Sequence, residues 1–361
     1  MEGKARVLVA MSGGIDSTVA AILLQEQGYD LVGITMKTYD YEATVSKDSQ
    51  SGCCSLDSIN DARMVAVNMG FPHFVLDLRN EFEEHIISDF TDEYMHGRTP
   101  NPCVLCNTHV KWSALLKKAD QLQCQYIATG HYANVRFENN RYVLSKGKDE
   151  NKDQSYVLWG LSQENLSRTL FPLGSYSKDK ICEIARAHGL NEIAGKRESY
   201  EICFVPDNNY RDFLRFRIPD IDEKIGEGDF VFSDGKVIGK HKGYPYYTIG
   251  QRKGLGIALG YPAFVTKIDA IENKVYIGTK DELLSHSLFL KDFNPGKYAV
   301  LPENAHVLAK IRYKDKGTFA SASHHEDRIQ LLFEESVTAI TPGQSAVLFE
   351  GDDVLGGGFI I

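Results

Sequence analysis

Two stretches of this chain carry residue types at spacings suited to chemistry. The first is Arg6-Val-Leu-Val-Ala-Met-Ser-Gly-Gly-Ile-Asp-Ser17. Val7 to Ala10 are apolar and predict an interior strand of a parallel sheet. Gly13 and Gly14 let the backbone bend where a side chain would clash, turning amide N–H groups towards one spot. Ser12, Asp16, Ser17 and Thr18 fill the turn and the first helical turn, whose unpaired amides and dipole attract an anion. A phosphate is the guest that suits this loop. The loop has no lysine and no Gly-x-x-x-x-Gly-Lys-[Ser/Thr] pattern, so the grip is not of the Walker type. A short Ser-Gly-Gly-x-Asp-Ser loop better suits a pyrophosphate that leaves. The plain alternative is a polar turn joining any strand to any helix.

The second stretch is Thr99-Pro-Asn-Pro-Cys103-Val-Leu-Cys106-Asn107. Its two prolines predict an extended, non-helical segment that exposes a Cys-x-x-Cys just before a helix. A thiol near a helix N-terminus, with Lys111 close by, is expected to have a lowered pKa and to be nucleophilic. Cys203, in Tyr200-Glu-Ile-Cys-Phe204, is the third candidate. Three readings of these thiols compete. Two of them could pass sulfur, one as nucleophile and one as persulfide. Cys103, Cys106 and Cys203 could hold an iron–sulfur cluster with one iron left open. Cys103, Cys106 and His109, with a fourth ligand, could hold structural zinc. Cys124 and Cys182 read as small buried hydrophobes, and the adjacent Cys53 and Cys54 fit either description.

These stretches need elements to position them. The chain has 361 residues, 43% of them hydrophobic and 25% charged, a composition typical of a globular protein of two or three domains. No run reaches the ~18 apolar residues of a membrane span, and the start has no signal-peptide core, so a cytoplasmic protein is expected. Seven cysteines, an odd number, point to metal or redox chemistry rather than a disulfide framework. The net charge of -9 argues only mildly against nucleic acid, because the basic residues are segregated. Residues 235–268 hold six Lys/Arg and no acid, and a second basic run, Lys310-Ile-Arg-Tyr-Lys-Asp-Lys316, follows.

The periodicity predicts helices over 16–27, 57–70, 80–97 and 110–122, and strands over 31–36, 74–78 and 126–130. Alternation of this kind means a parallel sheet wrapped by helices, with ligands beyond the strand C-termini. The glycine loop, Met36 and Gly130-His131 all fall on that edge. Residues 39–52 read as a loop over the site. Asn139-Asn140 predicts a hairpin; further helices are expected over 154–161, 178–188 and 210–216. From about residue 288 the chain reads as short strands of a small β-barrel, with Gly356-Gly-Gly358 as a loop or bulge.

Together these stretches resemble one family, the tRNA-specific 2-thiouridylases of the ATP-pyrophosphatase (PP-loop) superfamily. The matching motifs are Met11-Ser-Gly-Gly-Ile-Asp-Ser17, Gly97-Arg-Thr-Pro-Asn-Pro102, Thr129-Gly-His-Tyr132, Asn151-Lys-Asp-Gln-Ser-Tyr156, Leu170-Phe-Pro-Leu-Gly174, Ile202-Cys-Phe204, Ile249-Gly-Gln-Arg-Lys-Gly-Leu-Gly256 and Thr341-Pro-Gly-Gln-Ser-Ala346. They occur in order along nearly the whole chain. The resemblance implies an α/β, doubly wound parallel-sheet PP-loop domain (adenine nucleotide alpha hydrolase-like) over 1–206. A central tRNA-binding linker domain over 207–280 and a C-terminal β-barrel over 281–361 would follow.

It further implies a cytoplasmic transferase that makes 2-thiouridine at wobble uridine 34 of tRNA, expected to be the Lys, Glu and Gln isoacceptors. ATP with Mg²⁺ would adenylate the uracil 2-oxygen, and sulfur from a donor protein or sulfide would displace AMP. By position, Ala10, Met11, Ser12, Gly13, Gly14, Ile15, Asp16, Ser17, Met36 and Gly130 would line the ATP site, with Asp16 a Mg²⁺ partner. Cys106 would be the nucleophile and Cys203 the persulfide carrier. Asn101, Pro102 and Cys103 would meet the target base, and His131, Lys152, Asp153, Gln154, Arg312, Tyr313 and Gln344 would contact tRNA. For Lys152-Asp153-Gln154 the plain alternative is a helix cap, and for Arg312 a solvated barrel charge.

One departure matters. Well-known members carry Asp where this chain has Cys103. The exchange removes a carboxylate and supplies a soft ligand, so Cys103, Cys106 and Cys203 match the three-cysteine pattern of cluster-containing tRNA thiolation enzymes and imply a [4Fe–4S] cluster. Rival readings are a PP-loop amidating or lysidine-type ligase, which needs no paired cysteines, and a non-catalytic nucleotide- or zinc-binding protein.

Overall fold

The computed structural model describes residues 4–39, 56–194, 202–205 and 209–361. Of the loop expected over 39–52, only Tyr39 lies among them, and Cys53 and Cys54 fall outside. The chain divides into two compact units, one of Met1–Ile86, Cys103–Asn208 and Asp352–Val354, the other of Ile87–Pro102, Asn209–Gly351 and Leu355–Ile361.

The first unit is built on strands β1 (Arg6–Ala10), β2 (Asp30–Lys37), β3 (His73–Asp77), β4 (Tyr126–Ala128) and β7 (Thr169–Leu170), and it also holds a hairpin of β5 (Ala133–Glu138) and β6 (Arg141–Lys146). The five-stranded sheet has the order β3-β2-β1-β4-β7 and is parallel throughout. Val7, Leu8 and Val9 on the central strand are fully buried, which is why β1 reads as an unbroken apolar run. Helix α1 (Ile15–Glu26) follows the glycine loop and stops at Gly28, whose φ of +86° only glycine adopts freely. It is apolar nearly all round because it packs two ways. Ala21 and Leu24 meet Val7, Val9 and Leu31, while Val19, Ala20 and Leu23 meet Ile181 and Ala185 of helix Lys178–Ala187. Helix α2 (Leu56–Met69) adds Ala62, Val65 and Ala66 to the first of these clusters. Asn139 and Asn140, with φ of 49° and 60°, make the hairpin turn expected of them.

Two local expectations about helices are corrected. Residues 99–106 are not extended throughout: Pro102–Leu105 is α-helical, Cys106–Lys111 continues as a wider π-helical stretch, and Trp112–Gln121 returns to α. Proline restrains the residue before it but suits the first helical position, where its fixed φ is right and its missing N–H has no partner to lose. The helix over 154–161 shrinks to one 3-10 turn, Ser155–Val157. Gln154 instead spends its backbone N–H on the Tyr132 carbonyl, and its side-chain Oε1 accepts from the Tyr132 N–H. The helix expected over 80–97 is present as Arg79–Phe82, a π-helical Glu83–Ile87 and Ser88–Met95.

In the second unit, β8 (Gly228–Val231), β9 (Val237–His241), β10 (Phe264–Asp269) and β11 (Lys274–Gly278) form one sheet in the order β10-β11-β8-β9. The C-terminal strands are β12 (Leu284–Pro295), β13 (Ala305–Lys310), β14 (Thr318–His325), β15 (Arg328–Thr338), β16 (Ser345–Glu350) and β17 (Asp353–Ile360). They run β12-β15-β14-β13-β16-β17 and close through β17–β12 pairing into a barrel of 6 strands. Leu288, Leu290, Val307, Leu331 and Leu348 fill it. Gly356, Gly357 and Gly358 lie inside β17 rather than in a loop. A Cβ on Gly356 would stand 2.4 Å from Phe293 Cζ, so the glycine makes room for that ring. The irregularity falls on the partner strand, between Lys291 and Asn294. Among the described residues no helix is long and apolar enough to cross a membrane.

Candidate active site

The glycine loop lies at the C-terminal end of β1, where parallel-sheet ligands bind. Its conformation depends on hydrogen bonds that leave the helix entrance open. The Ser12 N–H donates to Ser17 Oγ at 3.1 Å, and Ser17 Oγ and Thr18 Oγ1 donate to the Gly14 carbonyl at 3.1 and 3.0 Å. Gly14, the residue before α1, is extended and no side chain caps the helix there. The first-turn amides are therefore available to an anion. Gly13 has φ +73°, and a Cβ on it would lie 2.3 Å from the Ser58 carbonyl oxygen. Gly130, just beyond β4, lies against the same turn: a Cβ there would come within 2.9 Å of Asp16 C and Ser17 N. Ala10, Met11, Ser12, Gly13, Gly14, Ile15, Asp16, Ser17 and Gly130 thus form one neighbourhood, with Met36 near the C-terminal end of adjacent β2.

Asp16 is not an isolated carboxylate. Lys178 Nζ lies 2.7 and 2.9 Å from its two oxygens, and the Tyr132 hydroxyl donates to Oδ1 at 2.6 Å. Lys178 enters helix Lys178–Ala187 directly after its cap, Ser177, so its reach to the loop is set by the α1 packing described above. Amides, hydroxyls, one ammonium and one carboxylate gathered around a single turn fit a polyphosphate with a hard divalent cation.

Cys103 is exposed, in the first turn of helix Pro102–Leu105, and Cys106 is buried where the π-helical stretch begins. Cys103 does not have the lowered pKa expected of it. Desolvation by the atoms around it raises the thiol above its ordinary value, and Lys111 only partly opposes this. Cys203 is exposed beside Phe204, which is buried edge-on to Phe82 at 5.5 Å between ring centres. Among the described residues no three His, Cys, Asp or Glu side chains gather as a metal-holding group. As placed, Cys103, Cys106 and Cys203 do not offer the three-thiolate set of a [4Fe–4S] cluster, nor do Cys103, Cys106 and His109 offer a zinc set. Cys124 is buried as expected, whereas Cys182 is only half-buried.

The residues expected to meet tRNA occupy varied settings. His131 Nδ1 is 2.8 Å from Thr129 Oγ1, with the ring near Trp112 and Phe171. Burial, with a smaller contribution from Lys111, pushes its pKa down to about 3, so the imidazole is neutral. Asp153 is buried, accepting from the N–H groups of Gly147 and Ser155 and from Ser155 Oγ. It thus holds the first residue of the turn that follows, next to Lys152. In the second unit, Gln344 Nε2 donates to the carbonyls of Thr99 and Pro100 at 3.2 and 2.7 Å, and Asn101 Nδ2 lies 3.4 Å from Ser345 Oγ. Gln344 therefore holds the Pro-Asn-Pro loop in place. Arg312 donates to the Thr338 carbonyl, and Arg312 and Tyr313 are both exposed in the turn after β13.

Comparison with known proteins bears on all of this. Residues 5–207 match the tRNA methyl transferase HUP domain, 211–279 the tRNA methyl transferase PRC-barrel domain, and 285–360 the aminomethyltransferase beta-barrel domain. A tRNA-specific 2-thiouridylase MnmA of Amoebophilus asiaticus is 58% identical over 99% of this chain and 95% of its own length. Its counterpart in Cytophaga hutchinsonii is 55% identical over 100% and 98%. The chain belongs to the tRNA-specific 2-thiouridylase family. A solved 4-thiouridine synthetase–RNA complex with bound ATP aligns over 60% of this thiouridylase chain and 51% of its own, at 17% identity and a TM-score of 0.39, too low to bear on the site.

Sequence reasoning missed several residues of this thiouridylase's loop neighbourhood. Lys178 stands 162 positions from Asp16, so no spacing rule links them. Tyr132 was visible only as part of a motif. Thr35 and His73, behind the loop, carry no local signature at all.

Proposed function

We propose that this chain makes 2-thiouridine at wobble uridine 34 of tRNA, in the cytoplasm, in two chemical steps. The uracil 2-oxygen attacks the α-phosphorus of ATP·Mg²⁺ and pyrophosphate leaves. A carbonyl oxygen is a poor leaving group until adenylated, which is why the second step needs the first. Cys203, carrying a persulfide from a sulfur donor, attacks C2 through its terminal sulfur and AMP departs. The Cys106 thiolate then attacks the Cys203 sulfur, leaving the terminal sulfur on C2 and a Cys106–Cys203 disulfide that an external thiol reduces.

The observation that carries this reading is the open, uncapped entrance of α1, with Asp16 on its first turn and the Lys178 ammonium paired to it from another helix, in a chain matching 2-thiouridylases over nearly its whole length. The first-turn amides and Lys178 would bind the departing pyrophosphate, and Asp16 would hold Mg²⁺ once the phosphates engage Lys178. Burial keeps His131 neutral beside the site, suited to donating a hydrogen bond rather than adding charge. The exposed basic residues of 235–268, among them Lys236, Lys242, Arg252 and Lys253, would follow the tRNA backbone with Arg312.

The test is anaerobic thiolation of unmodified tRNA-Lys, -Glu and -Gln transcripts with ATP and sulfide or a persulfide donor, read by nucleoside mass spectrometry. Cys106→Ser and Cys203→Ser should each abolish 2-thiouridine while ATP–pyrophosphate exchange survives. Product from either variant with the persulfide donor refutes the persulfide route, sulfide-dependent activity that tracks bound iron supports the cluster route, and absence of ATP-dependent product from the unaltered protein with both sulfur sources refutes the whole reading.

A further inference from the structure

The loop is held from behind by side chains of two neighbouring strands. Thr35, on β2, is buried, and its hydroxyl donates to the Met11 carbonyl at 2.8 Å. The same oxygen lies 2.9 Å from His73 Nε2, at the start of β3. A hydroxyl has one hydrogen, and here Met11 receives it. His73 must therefore donate from Nε2, which makes it the neutral Nε2–H tautomer. Two further observations agree. Nδ1 is buried with no partner among the described residues, so a proton there would have no acceptor. Desolvation, with Arg63 adding to it, lowers the pKa of the ring.

The imidazole can lie in this position because residue 33 is glycine. Gly33 pairs with His73 across the two strands. A Cβ on Gly33 would stand 2.9 Å from Met11 Sδ, 3.0 Å from His73 Cδ2 and 3.0 Å from Phe71 Cε2. The missing side chain gives Met11 and His73 the space they occupy.

The peptide joining Met11 to Ser12 is thus fixed on both sides, its carbonyl by Thr35 and its N–H by Ser17 Oγ. Rotating that plane would turn the Met11 carbonyl towards the anion position and release Ser17 Oγ. We propose that Thr35 and His73 are positioning residues for pyrophosphate recognition, acting as a fixed relay from β3 through β2 to the first peptide of the loop. This rests on the reading of the loop as the ATP site. The relay touches no substrate atom. It keeps the loop in its binding shape before ATP arrives, so ligand binding need not reorder it.

The test compares Thr35→Val, Thr35→Ser, His73→Gln and His73→Leu with the unaltered protein, measuring ATP KM, kcat and the affinity for inorganic pyrophosphate, alongside thermal stability. Thr35→Val and His73→Leu should weaken pyrophosphate and raise ATP KM by about five- to tenfold, one net hydrogen bond's worth, with kcat changed less. Thr35→Ser and His73→Gln keep a hydroxyl and an N–H donor and should restore most of the affinity. A purely structural role predicts lower melting temperatures but unchanged affinities in the folded variants. If Thr35→Val does not fold, the His73 pair and Thr35→Ser decide. Unaltered pyrophosphate affinity in folded Thr35→Val or His73→Leu overturns the relay. No ATP or pyrophosphate binding by the unaltered protein overturns the ATP-site reading instead.

Discussion

Gly130→Ala is the sharpest perturbation of the loop, because the new atom meets backbone rather than a side chain that can swing away. The added Cβ would sit 2.9 Å from Asp16 C and Ser17 N and 3.2 Å from Asp16 Cβ. Ordinary contacts begin near 3.4 Å, so β4 and the first turn of α1 must separate by about half an ångström. Overpacking of this kind costs about 2 kcal/mol, which lowers the melting temperature of a domain of this size by about 4–8 °C. The displaced atoms belong to the turn that would receive the phosphates, and a misplacement of about half an ångström should raise ATP KM about tenfold.

Two controls separate the effects. Gly14→Ala brings its Cβ no nearer than 3.4 Å, to the movable Ser12 Oγ, and should be nearly silent in stability. Gly28→Ala meets nothing within 4 Å but must hold φ +86°, so it should lose about 1–2 kcal/mol with ATP KM unchanged. Thermal denaturation and initial-rate kinetics on the three variants check the argument. It is refuted if Gly130→Ala keeps the original ATP KM, or if Gly28→Ala raises KM equally.

Three other outcomes are expected. Lys178→Met removes the cation on both Asp16 oxygens; the pair is partly exposed, so stability should fall by about 1 kcal/mol or less while ATP-dependent turnover drops more than about tenfold, by denaturation and pyrophosphate-release assays. Burial, then Glu93 and Asp92, against Arg98 and Lys291, pushes the Asp89 carboxyl up from 3.8 to about 6. A carboxyl with a raised folded pKa favours the fold below the unfolded value and loses that contribution as pH rises through about 6. Asp89→Asn should therefore gain stability over the unaltered protein at pH 7.5 but show little difference at pH 3.5, as read by urea unfolding. Replacing Arg252 and Lys253 together by alanine should weaken tRNA binding and reduce the salt dependence of log K by about one to two units of slope, as filter binding across a salt series would show.

Much of the first unit was legible because its signals are local. Val7–Val9, the glycine pair and Gly28 each act within a few residues, and α1 appears within one residue of its expected start. The barrel was legible as a run of short strands. The Cys-x-x-Cys segment was misread because Pro102 can either end an extended stretch or begin a helix, and nothing within the segment chooses between them. The turn over 154–161 was misread because Gln154 and Asp153 satisfy distant groups, Tyr132 and Gly147, instead of propagating a helix.

By itself, the sequence determined the alternation that makes a parallel sheet, the glycine bend that follows its central strand, the presence of a Cys-x-x-Cys, and the ordered motifs that mark a 2-thiouridylase. Those follow from backbone geometry and side-chain chemistry acting at short range. The tertiary structure alone decided which groups complete the loop: Lys178 and Tyr132 on Asp16, Gly130 against Ser17, and Thr35 with His73 behind Met11. It also decided that Cys106 is buried, that Cys103 is exposed with a raised pKa, and that among the described residues no three ligating side chains form a metal-holding group. The physical reason is the same in each case. Hydrogen bonds, ion pairs and desolvation act over a few ångströms of space, and only the packing of helices and strands brings residues far apart in the chain within that range.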